Sequence, residues 1–532
     1  VIHLQKSHPH RPVPMYKSFL SVSGFTLLSR LTGFLRDIVL SGVLGAGMMM
    51  DAFAVAQRLP NHFRAIFGEG AFNAAYVPTY LRVLEQDGQT RAQNFANQIF
   101  TLLLLSQVVM LALGWLFMPA FVDLLAPGFS RDPQKYELAV SLTRITFPYL
   151  FCITLVTMHS ATLNAHGVFA VPAFAPVLLN VVTMAFLAIS FLFPSAAYAA
   201  ATGVVASGVA QLVLLMLEAR RHGLIEKIAK PGLGQDVRAF FRMFGPAVIG
   251  SSGVQIAMFA DTIIGSLLAT GGLSSLYYAE RLYQLPIGLV GVAAGTVLLP
   301  EMSRCFAREN WEGAFTAQNR TLAMSVALTA PFVVAFMVIP DFLVRALFEH
   351  GRFQIEDSLA TAAVLRAYGA GLLAMVAINA LRSGFQAMGD TKTPMYVALG
   401  ALAINLLLKI ALYQPLGAVG IAVATSVNAW VNVGLLAILA LRRYLFQPDK
   451  TFGSILLACA TASVILANIA LWLQGPFLAL ARAIGGVPGL LAGVAGLGLL
   501  GALVYGAALV AGARALGVTA AEMGLSRLIR RK

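Results

Sequence analysis

Residues 19–40, FLSVSGFTLLSRLTGFLRDIVL, pose the problem that decides the fold: an apolar run with Arg30, Arg36 and Asp37 set inside it. A membrane crossing needs roughly 20 consecutive apolar residues, and this stretch meets that length. Comparable apolar stretches recur as far as the region of Gly517, separated by short Gly, Pro or charged connections. Their spacing predicts about fourteen helices. The composition agrees. Of 532 residues, 58% are hydrophobic and 11% charged, with a mean hydropathy of +0.79. Soluble domains carry about 25% charged residues, so this chain has too little charge to cover a water-facing surface. A soluble enzyme, a disordered scaffold and a disulfide-rich secreted domain are excluded. The expected class is an all-α polytopic membrane protein. Cys152, Cys305 and Cys459 have no ligand spacing and read as small packing residues.

The charges report topology. There are 37 Lys and Arg against 23 Asp and Glu, a formal net charge of +14. The turns at 41–50, 193–197, 270–275 and 414–418 contain no Lys or Arg. The alternate connections are basic, with Arg82 and Arg91; Arg220, Arg221, Lys227 and Lys230; Arg304 and Arg308; Lys392; and Arg442, Arg443 and Lys450. The chain ends on Arg527, Arg530, Arg531 and Lys532. Basic loops stay cytoplasmic, so both termini are expected in the cytoplasm. Arg131, Lys135, Arg345, Arg352 and Arg482 fall on the other side without reversing the pattern. Residues 1–17 read as a cytosolic tail, because they lack the apolar core and cleavage site of a signal peptide. In a membrane protein such a charge excess needs no nucleic-acid partner.

The chain also repeats itself. Ala56-Gln57-Arg58-Leu59 followed by Pro78 is echoed by Ala279-Glu280-Arg281-Leu282 followed by Pro300. Ala165-His166-Gly167 before Pro172 is echoed by Ala387-Met388-Gly389 before Pro394. The offset of about 220 residues predicts two parallel six-helix lobes around a central cavity, with two further helices at the C-terminus. The expected organisation is an N-lobe over 18–222, a cytoplasmic inter-lobe loop over 223–235 and a C-lobe over 236–445. Residues 446–532 then hold the last two helices and a basic tail.

Ionised side chains at the bilayer centre cost about 2.5–3.5 kcal/mol on insertion scales. Yet this chain places Arg30, Arg36 and Asp37 in span one, and Asp51, Arg58, Asn61, Arg64 and Glu69 in span two. Asp261 follows in span seven, then Glu280 and Arg281 in span eight. Internal pairing is one reading: Arg30 and Asp37 share a helix face about 10 Å apart, and Arg58 beside Pro60 suits that role best. Pairing explains the set less well, because the arginines outnumber the buried acids within reach. A guanidinium stays charged and grips phosphate oxygens through a planar fork. The surplus therefore points to an anion, a phosphate or diphosphate, rather than to a cationic drug. Gly496-Leu497-Gly498-Leu499-Leu500-Gly501 matches a dinucleotide fingerprint but lies in an apolar helix with no preceding strand, so helix packing is the better reading. The sequence has no HExxH, P-loop or Gly-x-Ser-x-Gly motif, and no enzyme activity or cofactor is expected.

Ser29-Arg30-x-x-Gly33-x-x-Arg36-Asp37, Asp51-Ala52-Phe53, Leu59-Pro60-Asn61, Arg64 and Gly68-Glu69-Gly70-Ala71-Phe72 resemble the signature of the MurJ (MviN) lipid II flippases. The resemblance continues through Phe147-Pro148-Tyr149, Pro172-Ala173-Phe174-Ala175-Pro176, Tyr277-Tyr278-Ala279-Glu280-Arg281-Leu282 and Gly389-Asp390-Thr391-Lys392-Thr393-Pro394. That family belongs to the multidrug/oligosaccharidyl-lipid/polysaccharide exporter superfamily. The resemblance implies a flippase moving undecaprenyl-diphosphate-linked peptidoglycan precursor across the inner membrane by alternating access. Arg30, Arg36, Arg64 and Arg281, with Asn61, would bind the headgroup. Asp37, Asp51, Glu69 and Glu280 would support them. A sodium site in some members is matched by Asp261, Asn405 and Thr425, but Lys409 stands where a carboxylate would be. Its ammonium could take the cation's place and pair with Asp261, or it could snorkel to an interface. Coupling to sodium or to the membrane potential both remain open on these residues. Expected partners are lipid II and membrane lipids, with the chain monomeric. The alternatives are a flippase for another polyprenyl-diphosphate oligosaccharide and a cation or drug antiporter.

Overall fold

In lipid every backbone N–H and C=O must be satisfied within its own segment, and apolar runs of this length meet that demand as helices. The structure, a computed structural model, describes residues 15–64 and 71–519, and it shows helices and no strand among them. In chain order these are α1 (Met15–Leu44), α2 (Met48–Phe63), α3 (Ala71–Asp87), α4 (Gln89–Leu116), α5 (Met118–Leu125) and α6 (Pro133–Thr146). Then follow α7 (Pro148–Ala165), α8 (Ala170–Ala188), α9 (Ala196–Arg221), α10 (Gln235–Ser266), α11 (Gly272–Pro286) and α12 (Val292–Ala307). The last are α13 (Trp311–Val338), α14 (Pro340–Phe348), α15 (Ile355–Ala387), α16 (Lys392–Arg442), α17 (Lys450–Ile484) and α18 (Gly486–Ala515).

Ten stretches among the described residues are long and apolar enough to cross a membrane, fewer than the fourteen expected. Helices α2 and α3, of 16 and 17 residues, flank residues 65–70, which lie outside the described residues. Helix α1 carries its charges mid-length. Helix α16 runs for 51 residues, about 75 Å at 1.5 Å per residue, more than twice the hydrocarbon thickness of about 30 Å. It breaks at Gly417, whose φ of 57° and ψ of −136° leave the helical region.

The sequence repeat has a structural counterpart. Helix α7 ends on Gly167 (φ 79°), with Val168 N–H donating to the Leu163 carbonyl at 3.0 Å. Helix α15 ends the same way on Gly389 (φ 78°), with Asp390 N–H donating to the Phe385 carbonyl at 2.9 Å. Only glycine takes that left-handed conformation without strain, so the echoed glycines are helix stops. In the second copy, α11 ends at Pro286 before a π-helical turn, Ile287–Gly291. A proline inside a helix disturbs its backbone bonding, and the Asn379 amide donates to the Gly291 carbonyl at 3.1 Å.

The chain forms two compact units. One comprises the residues up to Val43 together with Ala52–Ile263, the other Leu44–Asp51 and everything from Ile264 onward. Most of α10 therefore belongs to the first unit, whereas the sequence division places it in the C-lobe. Its contacts give the reason. Asp236 takes ion pairs from Arg82 and Arg91 at 3.2 and 3.3 Å. Phe240 joins a core of Phe72, Tyr76, Tyr80, Phe95, Ile99 and Met158. Within that core Tyr76 stacks on Phe72, Tyr80 and Phe95 at 5.0, 5.6 and 5.8 Å. Between helices in lipid the drive for such contacts is close packing rather than escape from water.

The second unit has a core around Leu298, Met302, Leu322, Leu381, Phe385 and Leu436. Helices α17 and α18 pair with each other and lean on α13 through Ala323, Ala458 and Ala513, then Ala330, Ala462 and Tyr505. Gly496 sits where a Cβ would come within 2.7 Å of the Phe477 ring. The glycine-rich run of α18 is thus a packing surface, as its setting in an apolar helix predicts.

Candidate functional site

In the first unit, α1 holds Arg36 and Asp37 buried side by side, at 7% and 3% exposure. Neighbouring residues on a helix do not ordinarily face each other, yet here the guanidinium folds back on the carboxylate. Its Nη2 and Nε lie 2.8 and 3.2 Å from Asp37 Oδ1. Its Nη1 donates to Asn180 Oδ1 of α8 at 3.1 Å, and the Asn180 amide donates to the Ser29 carbonyl and Thr32 Oγ1, each at 3.0 Å. Arg36 is therefore a strut between α1 and α8. Arg30, two turns earlier, is exposed and makes no ion pair among the described residues.

Along α2, Arg58 donates to Thr262 Oγ1 of α10 at 3.1 Å, the internal role that its place beside Pro60 suggests. One turn on, His62 lies against Phe259 with ring centres 4.4 Å apart. Asn61 and Arg64 are half-buried on the same stretch, and Asp261 is half-buried on α10. Glu69 lies outside the described residues.

In the second unit, Asp51 is wholly buried. Its carboxylate accepts from Gly271 N–H at 2.9 Å and Ser274 N–H at 2.8 Å, and from the Ser274 hydroxyl. These groups open α11, so Asp51 caps that helix and sets its negative charge on the positive end of the helix dipole. Glu280 and Arg281 stand further along α11, both half-buried. Glu280 accepts from the Gln284 amide at 2.7 Å, and the Arg281 guanidinium lies 4.5 Å over the Tyr277 ring. The cap thus positions the helix that carries Arg281.

On α16, Asn405 and Lys409 lie one turn apart on one face, at 7% and 2% exposure. The Asn405 Oδ1 accepts no hydrogen bond among the described residues, and the Thr425 hydroxyl donates back to the Ile421 carbonyl at 3.1 Å. An ammonium this deeply enclosed is not snorkelling to an interface. Asp261 belongs to the first unit and these three residues to the second.

A sequence profile of the family described as "Lipid II flippase MurJ" matches residues 40–482. The chain belongs to the MurJ family. It is 39% identical over 427 residues to the probable lipid II flippase MurJ of Rhizobium meliloti (strain 1021), covering 79% of this chain and 80% of that protein. It is 32% identical over 465 residues to the lipid II flippase MurJ of Burkholderia cenocepacia, covering 86% of this chain and 90% of the other. Among solved structures, one of "Lipid II flippase MurJ, inward closed conformation" has the same fold, with a TM-score of 0.75 at 24% identity over 92% of this chain and 98% of that one.

Against this family background the structure adds a polar cluster that the sequence reading missed. His159, mid-way along α7, has Nδ1 2.7 Å from Glu226 Oε2, with both side chains essentially inaccessible. The atoms are close but not aligned as a hydrogen bond. Glu226 also accepts from the Thr162 hydroxyl at 2.8 Å, and Thr162 bonds Tyr76 at 2.9 Å. His166 bonds the Tyr80 hydroxyl at 2.9 Å. The signals were present: a histidine inside an apolar span, and a single acid in the basic segment between Arg221 and Gln235. The cluster pins that segment to the body of the first unit.

Proposed function

We infer that the protein is a lipid II flippase, a membrane transporter and not an enzyme, which moves the undecaprenyl-diphosphate-linked peptidoglycan precursor outward by alternating access. The observation that carries this reading is the match to relatives named as lipid II flippases over about four-fifths of both chains. The charges of the spans fit an anionic headgroup. Arg30, exposed on α1, Arg64, half-buried just past α2, and Arg281, half-buried on α11, are the guanidiniums offered to the diphosphate, together with Asn61. Arg36 shapes the site by holding α1 to α8.

The protein lies in the cytoplasmic membrane with both termini inside, acts as a monomer and needs no cofactor. Membrane potential drives the cycle, because each elementary charge crossing the field is worth about 2.3 kcal/mol per 100 mV, and an anion moving outward from a negative cytoplasm is favoured. The buried ammonium of Lys409 supports a cycle that does not need sodium.

The test is translocation of labelled lipid II in liposomes holding the purified protein under an imposed potential. The parent should flip the lipid, and Arg64→Ala and Arg281→Ala should fall to the protein-free background while keeping the parent's unfolding midpoint. No flipping by the parent would overturn the function. Full flipping by both variants would overturn the site, and unchanged flipping after an ionophore collapses the potential would overturn the coupling.

A further inference from the structure

At the end of the first unit that carries the basic loops, α3 and the start of α10 enclose a cavity of about 700 Å³. Its lining includes Pro78, Arg82, Gly234, Arg238, Arg242 and Met243. Three guanidiniums in one cavity demand an explanation, and their bonding sorts them. Arg82 is already engaged: it and Arg91 share the Asp236 carboxylate at 3.2 and 3.3 Å. That acid is spent on them. Arg238 and Arg242, one turn apart on the same face of α10, are exposed and make no ion pair among the described residues. Arg238 also stands in the first turn of α10, where a cation is opposed by the helix dipole. Asp236 supplies the acid of that first turn and is shared by Arg82 and Arg91, so an anion in the cavity would add the partner that Arg238 and Arg242 lack.

The surroundings indicate what kind of anion. Met243, in the lining, is 44% exposed, and Phe241 beside it is 42% exposed. Leu233 at the cavity's edge is 62% exposed. Beyond them α10 continues into the apolar stretch of its span. Basic side chains with uncovered apolar ones at the end of a spanning helix are the setting in which lipid headgroups are held. A planar fork suits phosphate oxygens in particular.

We propose that the Arg82–Arg238–Arg242 cavity binds the phosphate of a membrane-lipid headgroup, at a site separate from the arginines of the spans. Its placement on the cytoplasmic side rests on the orientation given under Proposed function; the binding itself does not. The phosphate can come from a polyprenyl diphosphate or from an anionic glycerophospholipid, and the cavity receives either as an ester carried by an acyl or prenyl chain.

The experiment measures retention of radiolabelled lipid on the immobilised full-length protein in zwitterionic micelles. Polyprenyl diphosphate is offered in one arm and phosphatidylglycerol in another, and unlabelled inorganic pyrophosphate competes in a third. The double variant R238Q/R242Q should bind at least one lipid about tenfold more weakly, with a shallower salt dependence than the parent. Loss in the first arm identifies the substrate-type lipid and loss in the second the bilayer lipid. The charge-keeping R238K/R242K variant should fall between, and it serves the same test if the glutamine variant does not fold. Parental binding by the variants in both lipid arms overturns the proposal. So does displacement of the lipid by an equal concentration of inorganic pyrophosphate, which assigns a soluble anion. The two readings fail separately, since R64A and R281A test the translocation site while leaving this cavity intact.

Discussion

Replacing Asp51 with alanine should cost the protein more stability than any surface change, and the structure lets the amount be worked out. The carboxylate is wholly buried and accepts from two backbone N–H groups and one hydroxyl at the start of α11. Alanine leaves the N–H groups of Gly271 and Ser274 buried without their acceptor, at about 1–3 kcal/mol each. It also removes a negative charge from a helix N-terminus, worth about 0.3–1 kcal/mol and up to about 2 when partly buried. The total is about 2–8 kcal/mol. Asp51→Asn keeps an acceptor oxygen without the charge and should cost about 1–3 kcal/mol, and Ser274→Ala, which spares both backbone bonds, about 1 kcal/mol. Equilibrium unfolding in mixed micelles gives all three values. A loss below about 1 kcal/mol for Asp51→Ala would refute the capping account, as would an asparagine variant no better than alanine.

Other substitutions separate structural charges from functional ones. Asp37→Ala removes the carboxylate beside the buried Arg36 guanidinium and should cost about 3–5 kcal/mol; adding Arg36→Met should recover part of that loss, and additive single losses in a double-mutant cycle would count against the pair. Glu226→Ala should likewise destabilise by about 3–5 kcal/mol and expose the segment between α9 and α10 to protease, whereas parental resistance would deny that Glu226 holds it. The Asp390 carboxyl is held below the usual carboxylate range by the Thr393 hydroxyl and backbone N–H and then by Arg443. Its contribution to stability is therefore complete above the ordinary carboxylate pKa and lost as pH falls through the lowered one. Asp390→Asn should flatten the acid limb of the stability profile, and an unaltered limb would contradict the assignment.

The parts of the fold that could be read in advance are those fixed by neighbours in sequence. Gly389 and Gly167 stop their helices through bonds to residues a few positions back, and the Asp390-Thr391-Lys392-Thr393-Pro394 run caps α16 through Thr393 N–H at 2.9 Å. Such features recur as visible motifs because the chemistry lies within the motif. Asp51 was legible as a charge but not as a cap, because Ser274 is 223 residues away. Arg36 and Asp37 were misjudged by spacing, since adjacent helix positions diverge and only the enclosure by Asn180 turns the two side chains together. His159 and Glu226 stayed hidden for the same reason: the partners lie on a spanning helix and a connecting loop, and no local pattern joins them.

That sorting of buried charge bears on how an anion carrier can be built. Asp51 and Ser274 occupy equivalent places in the two repeats, as Ala56 and Ala279 do, so the duplicated helix start supplies an acid in one copy and its hydroxyl and amide partners in the other. Internal pairing of this kind makes an ionised group affordable in a low-dielectric interior, and it also removes that group from service, because a carboxylate or guanidinium already saturated by protein has little left for a ligand. Arg36, Asp37 and Asp51 are of that sort. Arg30, Arg64 and Arg281 are exposed or only half-buried, and Arg281 rides on the helix that Asp51 caps. On the function proposed above, such a site would be held by one set of charges and operated by another. The cost of the first set in stability, and of the second in translocation, should therefore separate cleanly under mutation.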